Sequence, residues 1–134
     1  TLARLAPNDT IVYVGCHDSN DEHYNALQSM KQQLESFTSL DDEPFNLIEL
    51  PFPQAIFDED NNRLPATYAN FLIMRNTILM PSYNQPHNDI AAMQQLKKAF
   101  PNYNIVPVDC TALIKQHGSL HCITMQLPQG ILSI

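Results

Sequence analysis

The apolar positions in the first half of the chain predict a strand, a helix and a second strand. Residues 10–15 form a short apolar run that is typical of a buried strand. Ser19 and Glu22 have the spacing of a capping box and predict where the helix begins. Residues 45–50 predict the second strand, which the prolines after it end. The helix itself is predicted by apolar residues at spacings of three and four: Tyr24, Leu27, Met30 and Leu34.

The second half of the chain repeats this order and adds one more strand in front. Residues 68–74 and 77–80 predict two strands joined by a tight turn. Residues 104–109 and 120–126 predict the remaining strands. The second helix is predicted to begin with Asn88 as its cap and to bury one apolar face, made of Ile90, Met93, Leu96 and Phe100.

The two halves together predict an α/β fold built from a repeated ββαβ unit, with one copy in residues 1–66 and one in residues 67–134. Such a repeat suggests units arranged around a common axis. The first copy shows no partner for the strand at 10–15, so we expect that partner upstream of Thr1 and the chain to be part of a longer domain. The alternative is a complete two-unit domain in which the strand at 10–15 lies at the edge of its sheet.

The charge and the cysteine count narrow the classes of partner and compartment. The chain has 7 basic and 14 acidic residues, and its formal net charge of -7 argues against a nucleic-acid backbone as the main partner. The same charge is compatible with a cationic small molecule. No apolar run approaches the roughly 20 residues that a membrane-spanning helix needs. Three cysteines, an odd number, disfavour a disulfide scaffold and favour a reducing compartment, which predicts the cytoplasm.

A cysteine that follows two small residues is the strongest candidate for chemistry. Gly118 and Ser119 leave room for a ligand to approach the backbone beside Cys122. A neighbouring cation would lower the pKa of the Cys122 thiol and make it a nucleophile. The alternative is an inert thiol buried in a strand, as most free cysteines are.

A zinc site is a competing hypothesis for the same segment. His117 and His121 have an H-x3-H spacing close to Cys110 and Cys122, and Cys16-His17 adds another pair. If the segment forms a strand, however, the adjacent His121 and Cys122 point to opposite faces and cannot easily share one ion. We therefore expect no metal here.

Asn70 interrupts an otherwise apolar stretch. A polar side chain in such a place needs a hydrogen-bond partner. We expect a structural amide that ties a loop to the strand, with direct contact to a substrate as the alternative.

The residues around Cys122 resemble the catalytic cysteine motif of the family of agmatine deiminases and Porphyromonas-type peptidylarginine deiminases. The motif reads Leu120-His121-Cys122-Ile123-Thr124, followed by Gln126 and Pro128. The resemblance spans nearly the whole chain, because further segments also resemble the family: residues 1–4, 20–24 and 67–73.

This resemblance implies a pentein-type α/β propeller, of which the chain holds about two ββαβ units. It implies a hydrolase in which the Cys122 thiolate attacks the guanidinium carbon of agmatine and a histidine protonates the leaving ammonia. Water then releases N-carbamoylputrescine, a precursor of putrescine and the polyamines, with no metal or cofactor. Gly118 and Asn70 would support the site or bind the substrate. The resemblance leaves open a peptidylarginine substrate, a non-catalytic pentein-like binding module and a homo-oligomer.

The chain departs from the family pattern in three ways. Gln116 and His117 stand where the family has glycines, and Met125 stands where a glutamine is usual. The catalytic histidine and the guanidinium-binding acids are expected upstream of Thr1. The resemblance therefore implies that this chain is the C-terminal portion of a hydrolase and is inactive alone.

Overall fold

The computed structural model describes residues 1–125, which form six strands, two helices and two short 3-10 turns. The 3-10 turns are Leu113–Gln116 and His121–Ile123. Gln126 and Pro128 of the cysteine motif lie outside the described residues. In chain order the other elements are β1 (Ala3–Ala6), β2 (Thr10–Val14), α1 (Tyr24–Glu35), β3 (Asn46–Leu50), β4 (Leu72–Met74), β5 (Thr77–Ser82), α2 (Pro86–Ala99) and β6 (Asn104–Asp109).

The described residues form two three-stranded sheets of identical topology, in the orders β1-β2-β3 and β4-β5-β6. In each sheet the middle strand pairs antiparallel with the strand before it and parallel with the strand after the helix. Each half of the chain is therefore a ββαβ unit, and the predicted α/β repeat of the pentein type is confirmed.

The antiparallel partner of β2 was predicted to lie upstream of Thr1. That prediction is wrong, because the partner is β1. All four residues of β1 pair with β2. The edge-strand alternative is also wrong, because β2 lies between β1 and β3. Four residues are too few for a clear apolar pattern. The available signal was the turn, in which Asn8 and Asp9 have φ values of 58° and 46°, a conformation that these residue types tolerate.

β2 is buried on both faces and joins the two units. Alternate residues of a strand point to opposite faces, and both faces of β2 are covered by apolar side chains. Ile11 and Tyr13 pack with Leu34 of α1. Val12 and Val14 face a larger cluster that also contains residues of β3, β5 and α2: Leu50, Ile78, Met80 and Leu96. This double burial explains the unbroken apolar run at residues 10–15.

Both helices begin at residues that differ from the predicted ones. α1 begins at Tyr24, and the Asp21 carboxylate accepts the backbone N–H of His23 at 2.9 Å, so the predicted Ser19–Glu22 capping box is wrong. α2 begins at Pro86, whose fixed φ suits the first helical position. Asn88 therefore lies inside α2 and is not its cap.

The buried face of α2 differs from the predicted face at its first position. Ile90 is 57% exposed, whereas Ala92 and Ala99 join Leu96 in the core. Small residues suffice there because α2 packs closely between the two sheets. No helix among residues 1–125 is long and apolar enough to cross a bilayer.

Two predicted strands differ from the structure. Only the last part of the predicted strand at 68–74 is extended, as β4. The predicted strand at 120–126 is absent from its described part, where His121–Ile123 form a 3-10 turn. The reason is that the backbone N–H of His121 is donated to Asn70 and not to a neighbouring strand.

Candidate active site

Cys122 lies in an exposed 3-10 turn, whereas Cys16 and Cys110 are buried. All three thiols are free within the described residues. The turn follows β6 and a second 3-10 turn, and it returns to the loop that precedes β4. The structure thus brings Cys122 beside residues that lie about fifty positions earlier in the chain, and the alternative of a thiol buried in a strand is wrong.

The side-chain amide of Asn70 holds this turn through hydrogen bonds. Asn70 is only 2% exposed. Its Oδ1 accepts the backbone N–H of His121 at 2.7 Å, and its Nδ2 lies 3.4 Å from the Sγ of Cys122. The predicted tie between a loop and another segment is therefore present in the geometry. Asn70 itself lies in a loop just before β4, not inside a strand as predicted.

Gly118 allows the chain to fold back closely over Cys122. A Cβ atom placed on Gly118 would lie 3.0 Å from the Cβ of Cys122 and 3.6 Å from its Sγ. The shorter distance is tighter than most real contacts, so a larger residue would displace the thiol. Immediately before it, His117 has φ 63°, which reverses the chain direction. Packing against Cys122 therefore requires a glycine at position 118, independently of any ligand that approaches the thiol.

The hydrogen bonds around Cys122 favour its charged form. The pKa of the Cys122 thiol is lowered, first by a backbone hydrogen bond from Ser119 and then by the side-chain amide of Asn70. In contrast, burial raises the pKa of Cys110. Neutral hydrogen-bond donors therefore cause part of the lowering of the Cys122 pKa that was expected from a neighbouring cation.

His121 does not provide that cation. Partial burial and the positive charge of Arg4 both lower the pKa of the His121 imidazole, so the neutral ring prevails at pH 7. Arg4 donates from Nη1 to the carbonyl oxygen of Phe71 at 2.7 Å and lies over the Phe71 ring. It therefore fixes the residue that follows Asn70.

The zinc hypothesis finds no cluster of ligands in the part of the chain that the structure describes. No group of three or more His, Cys, Asp or Glu side chains comes together there in a way that could hold a metal ion. His17 pairs with Glu49 and Cys16 is buried, so these two do not join Cys122. The argument from opposite strand faces was wrong in its premise, since His121 and Cys122 lie in a 3-10 turn.

Two buried hydroxyl residues near the turn were missed by the sequence analysis. Tyr83 directly follows β5, and Thr67 lies three residues before Asn70. Both are buried, and both hydrogen-bond close to the Cys122 turn. A tyrosine directly after an apolar strand was the available signal.

The pH dependence of alkylation is expected to distinguish Cys122 from the other thiols. Because the thiolate is the reactive form and the pKa of Cys122 is lowered, Cys122 should reach half of its maximal rate at a lower pH than an ordinary free thiol does. Site-resolved mass spectrometry after iodoacetamide pulses between pH 5 and 10 measures this. Cys16 and Cys110 are the internal controls and should react slowly at every pH. Equal, slow labelling of all three would contradict the lowered pKa.

Comparison with known proteins identifies relatives for nearly the whole chain. A Marinomonas sp. protein named "Putative agmatine deiminase" is 31% identical over 135 residues, which cover 89% of this chain and 36% of that protein. The crystal structure of the "Putative Arginine Deiminase" from Porphyromonas gingivalis is 47% identical, with a TM-score of 0.92 over 97% of this chain and 38% of that one.

A third relative is a cysteine-to-serine variant of C. jejuni agmatine deiminase with substrate bound. It is 41% identical, with a TM-score of 0.81 over 90% of this chain and 34% of that one. The chain thus spans little more than a third of the length of these relatives. The family model of Porphyromonas-type peptidyl-arginine deiminase matches residues 1–128. With that match over nearly its whole length, the chain belongs to the Porphyromonas-type peptidyl-arginine deiminase family.

Proposed function

We propose that Cys122 is the nucleophile of a hydrolase that converts agmatine to N-carbamoylputrescine and ammonia. The observation that supports this most is the state of the thiol. Cys122 is exposed and has a lowered pKa, while Cys16 and Cys110 are buried. An exposed thiol with a lowered pKa is what nucleophilic catalysis needs and what a structural cysteine lacks.

The reaction would proceed in two balanced steps. The Cys122 thiolate attacks the guanidinium carbon, a proton is delivered to one nitrogen of the resulting tetrahedral adduct, and that nitrogen leaves as ammonia to give an amidino-thioether. Water then adds to the same carbon, the C–S bond breaks, and the ureido product and the thiolate are released. The positive charge of the substrate beside Cys122 further favours the thiolate.

The histidine and the carboxylates of this reaction would come from outside the 134 residues. Carboxylates suit the planar guanidinium because they accept two parallel hydrogen bonds. The placement of this chain in the C-terminal part of the enzyme, and its inactivity alone, stay predictions. Three free thiols also favour a cytoplasmic setting for the protein.

Agmatine is the preferred substrate in this proposal, and peptidylarginine is the alternative. The names of the Marinomonas sp. and C. jejuni relatives favour agmatine. The description of the family model favours arginine within a peptide, which would be converted to citrulline. A net charge of -7 suits either cation.

Intact mass spectrometry of the protein as its cell makes it, before and after brief exposure to agmatine, tests the proposal. We expect an amidino adduct on Cys122, release of ammonia, and protection of Cys122 from iodoacetamide. Putrescine is the matched control ligand, since it carries amines without a guanidinium and should give no adduct. Citrulline formation in an arginine-containing peptide, without reaction of agmatine, would support the alternative substrate. Absence of both reactions would favour a non-catalytic binding module.

A further inference from the structure

The hydroxyl group of Tyr83 lies at the centre of a buried hydrogen-bond network beneath the Cys122 turn. Tyr83 is 2% exposed and Ser119 is 1% exposed. The Tyr83 hydroxyl accepts the backbone N–H of Thr67 at 3.0 Å and donates to the carbonyl oxygen of Thr67 at 2.9 Å. The Oγ of Ser119 lies 2.7 Å away and donates to the same phenol oxygen. A phenol can donate one hydrogen bond and accept two, and the Tyr83 hydroxyl forms all three.

The two residues that Tyr83 holds support Asn70 and Cys122 in the same way. The carbonyl oxygen of Thr67 accepts the backbone N–H of Asn70 at 3.2 Å, three residues further on. The carbonyl oxygen of Ser119 accepts the backbone N–H of Cys122 at 3.1 Å, again three residues further on. One hydroxyl group therefore links the turn that carries the amide donor to the turn that carries the thiol.

We propose that Tyr83 is a positioning residue that sets the reactivity of Cys122 by holding the Asn70 and Cys122 turns in register. The proposal rests on the assignment of Cys122 as the nucleophile. Tyr83 does not reach the thiol itself and acts through Ser119 and Thr67. Buried hydroxyl networks with every position filled are rigid, and a loss of one member loosens the others.

The network keeps the same protons over the working pH range. Burial raises the pKa of Tyr83 to about 12, so its phenol stays neutral. The other titratable or charged groups near the turn include the amino group of Thr1, His121, Arg4 and Cys110. They are unchanged in the variants below, so a shift in the pH profile of Cys122 reports on its hydrogen-bond donors.

The test compares Tyr83→Phe with Tyr68→Phe in the purified protein. Both tyrosines are buried and their rings lie 5.4 Å apart, but the Tyr68 hydroxyl donates to Asp89 and not toward the Cys122 turn. For Tyr83→Phe, the alkylation profile of Cys122 should move by about one pH unit to higher pH, a tenfold loss of rate at neutral pH. Tyr68→Phe should leave that profile unchanged, and thermal melts of both variants measure the stability that each hydroxyl contributes.

Equal profiles for the two variants would overturn the proposal. Ser119→Ala removes a single bond of the network and keeps the phenol paired with Thr67, so it should shift the profile in the same direction by a smaller amount. It also provides the decisive measurement if Tyr83→Phe does not fold, since an unshifted profile would again overturn the proposal. Alkylation needs no substrate. A shifted profile with neither an agmatine adduct nor citrulline formation would therefore support the role of Tyr83 and contradict the deiminase function.

Discussion

Replacement of Cys122 by serine is expected to abolish the amidino adduct and to lower deimination by at least about 10⁴-fold. A serine hydroxyl has a far higher pKa than a thiol and is not ionised at neutral pH. The donors from Ser119 and Asn70 that favour a thiolate would then have no charge to stabilise. Serine is slightly smaller than cysteine and fits beside Gly118, so the fold should be kept. Ammonia release and intact mass after exposure to agmatine measure the loss.

Cys16→Ser is the matched control for this substitution. Cys16 is buried, and its Sγ donates to the carbonyl oxygen of Asp18 at 3.6 Å, a bond that a serine hydroxyl can replace. Deimination should stay within a few-fold of the unmodified protein, because Cys16 takes no part in the reaction. Near-normal turnover by Cys122→Ser would show that the nucleophile is another residue.

Replacement of Asn70 by aspartate is expected to raise the pKa of Cys122 and to lower deimination by about 100-fold. Aspartate keeps the oxygen that accepts the N–H of His121 but replaces the donor 3.4 Å from the thiol with a second oxygen. A carboxylate at this distance opposes the thiolate. Since a neighbouring charge can shift a pKa by about one to three units, we expect the Cys122 pKa to rise by about two. The pH profile of alkylation and the pH dependence of kcat should both move to higher pH. Asn102→Asp makes the same chemical change at an exposed position after α2 and should have no effect.

The same variant separates the two roles considered for Asn70. In a supporting role Asn70 acts on the thiol through its Nδ2 donor, so loss of that donor should lower kcat and shift the alkylation profile in the absence of substrate. Direct substrate contact alone would raise KM, with kcat and the alkylation profile unchanged. A rise in KM without a profile shift would therefore contradict the role that the geometry favours.

The elements that periodicity predicted are those that bury one continuous apolar stripe or run. α1 and β2 were predicted because their apolar residues already show spacings of three and four or an unbroken run. β1 was missed because four residues with Arg4 among them carry little periodic signal. Ile90 was misassigned because helical spacing marks a stripe on α2 but not where that stripe ends.

The cysteine segment shows most clearly what a local pattern cannot provide. Residues 120–126 alternate in a way that is compatible with a strand, yet His121–Ile123 form a 3-10 turn. A strand needs a neighbour to accept its backbone N–H groups, and here Asn70 takes that of His121. The network of Tyr83, Thr67 and Ser119 was missed for the same reason, since its members are far apart in the chain.

The sequence by itself determined the repeated α/β unit, the candidate cysteine and the family, because these depend on residue order and local spacing. Only the tertiary structure decided which cysteine is exposed, which donors lower its pKa and which residues support it. Those properties arise from contacts between segments up to about fifty residues apart, such as that between Asn70 and Cys122. Burial and hydrogen bonding at such contacts depend on how the two units pack, and no local pattern encodes that packing.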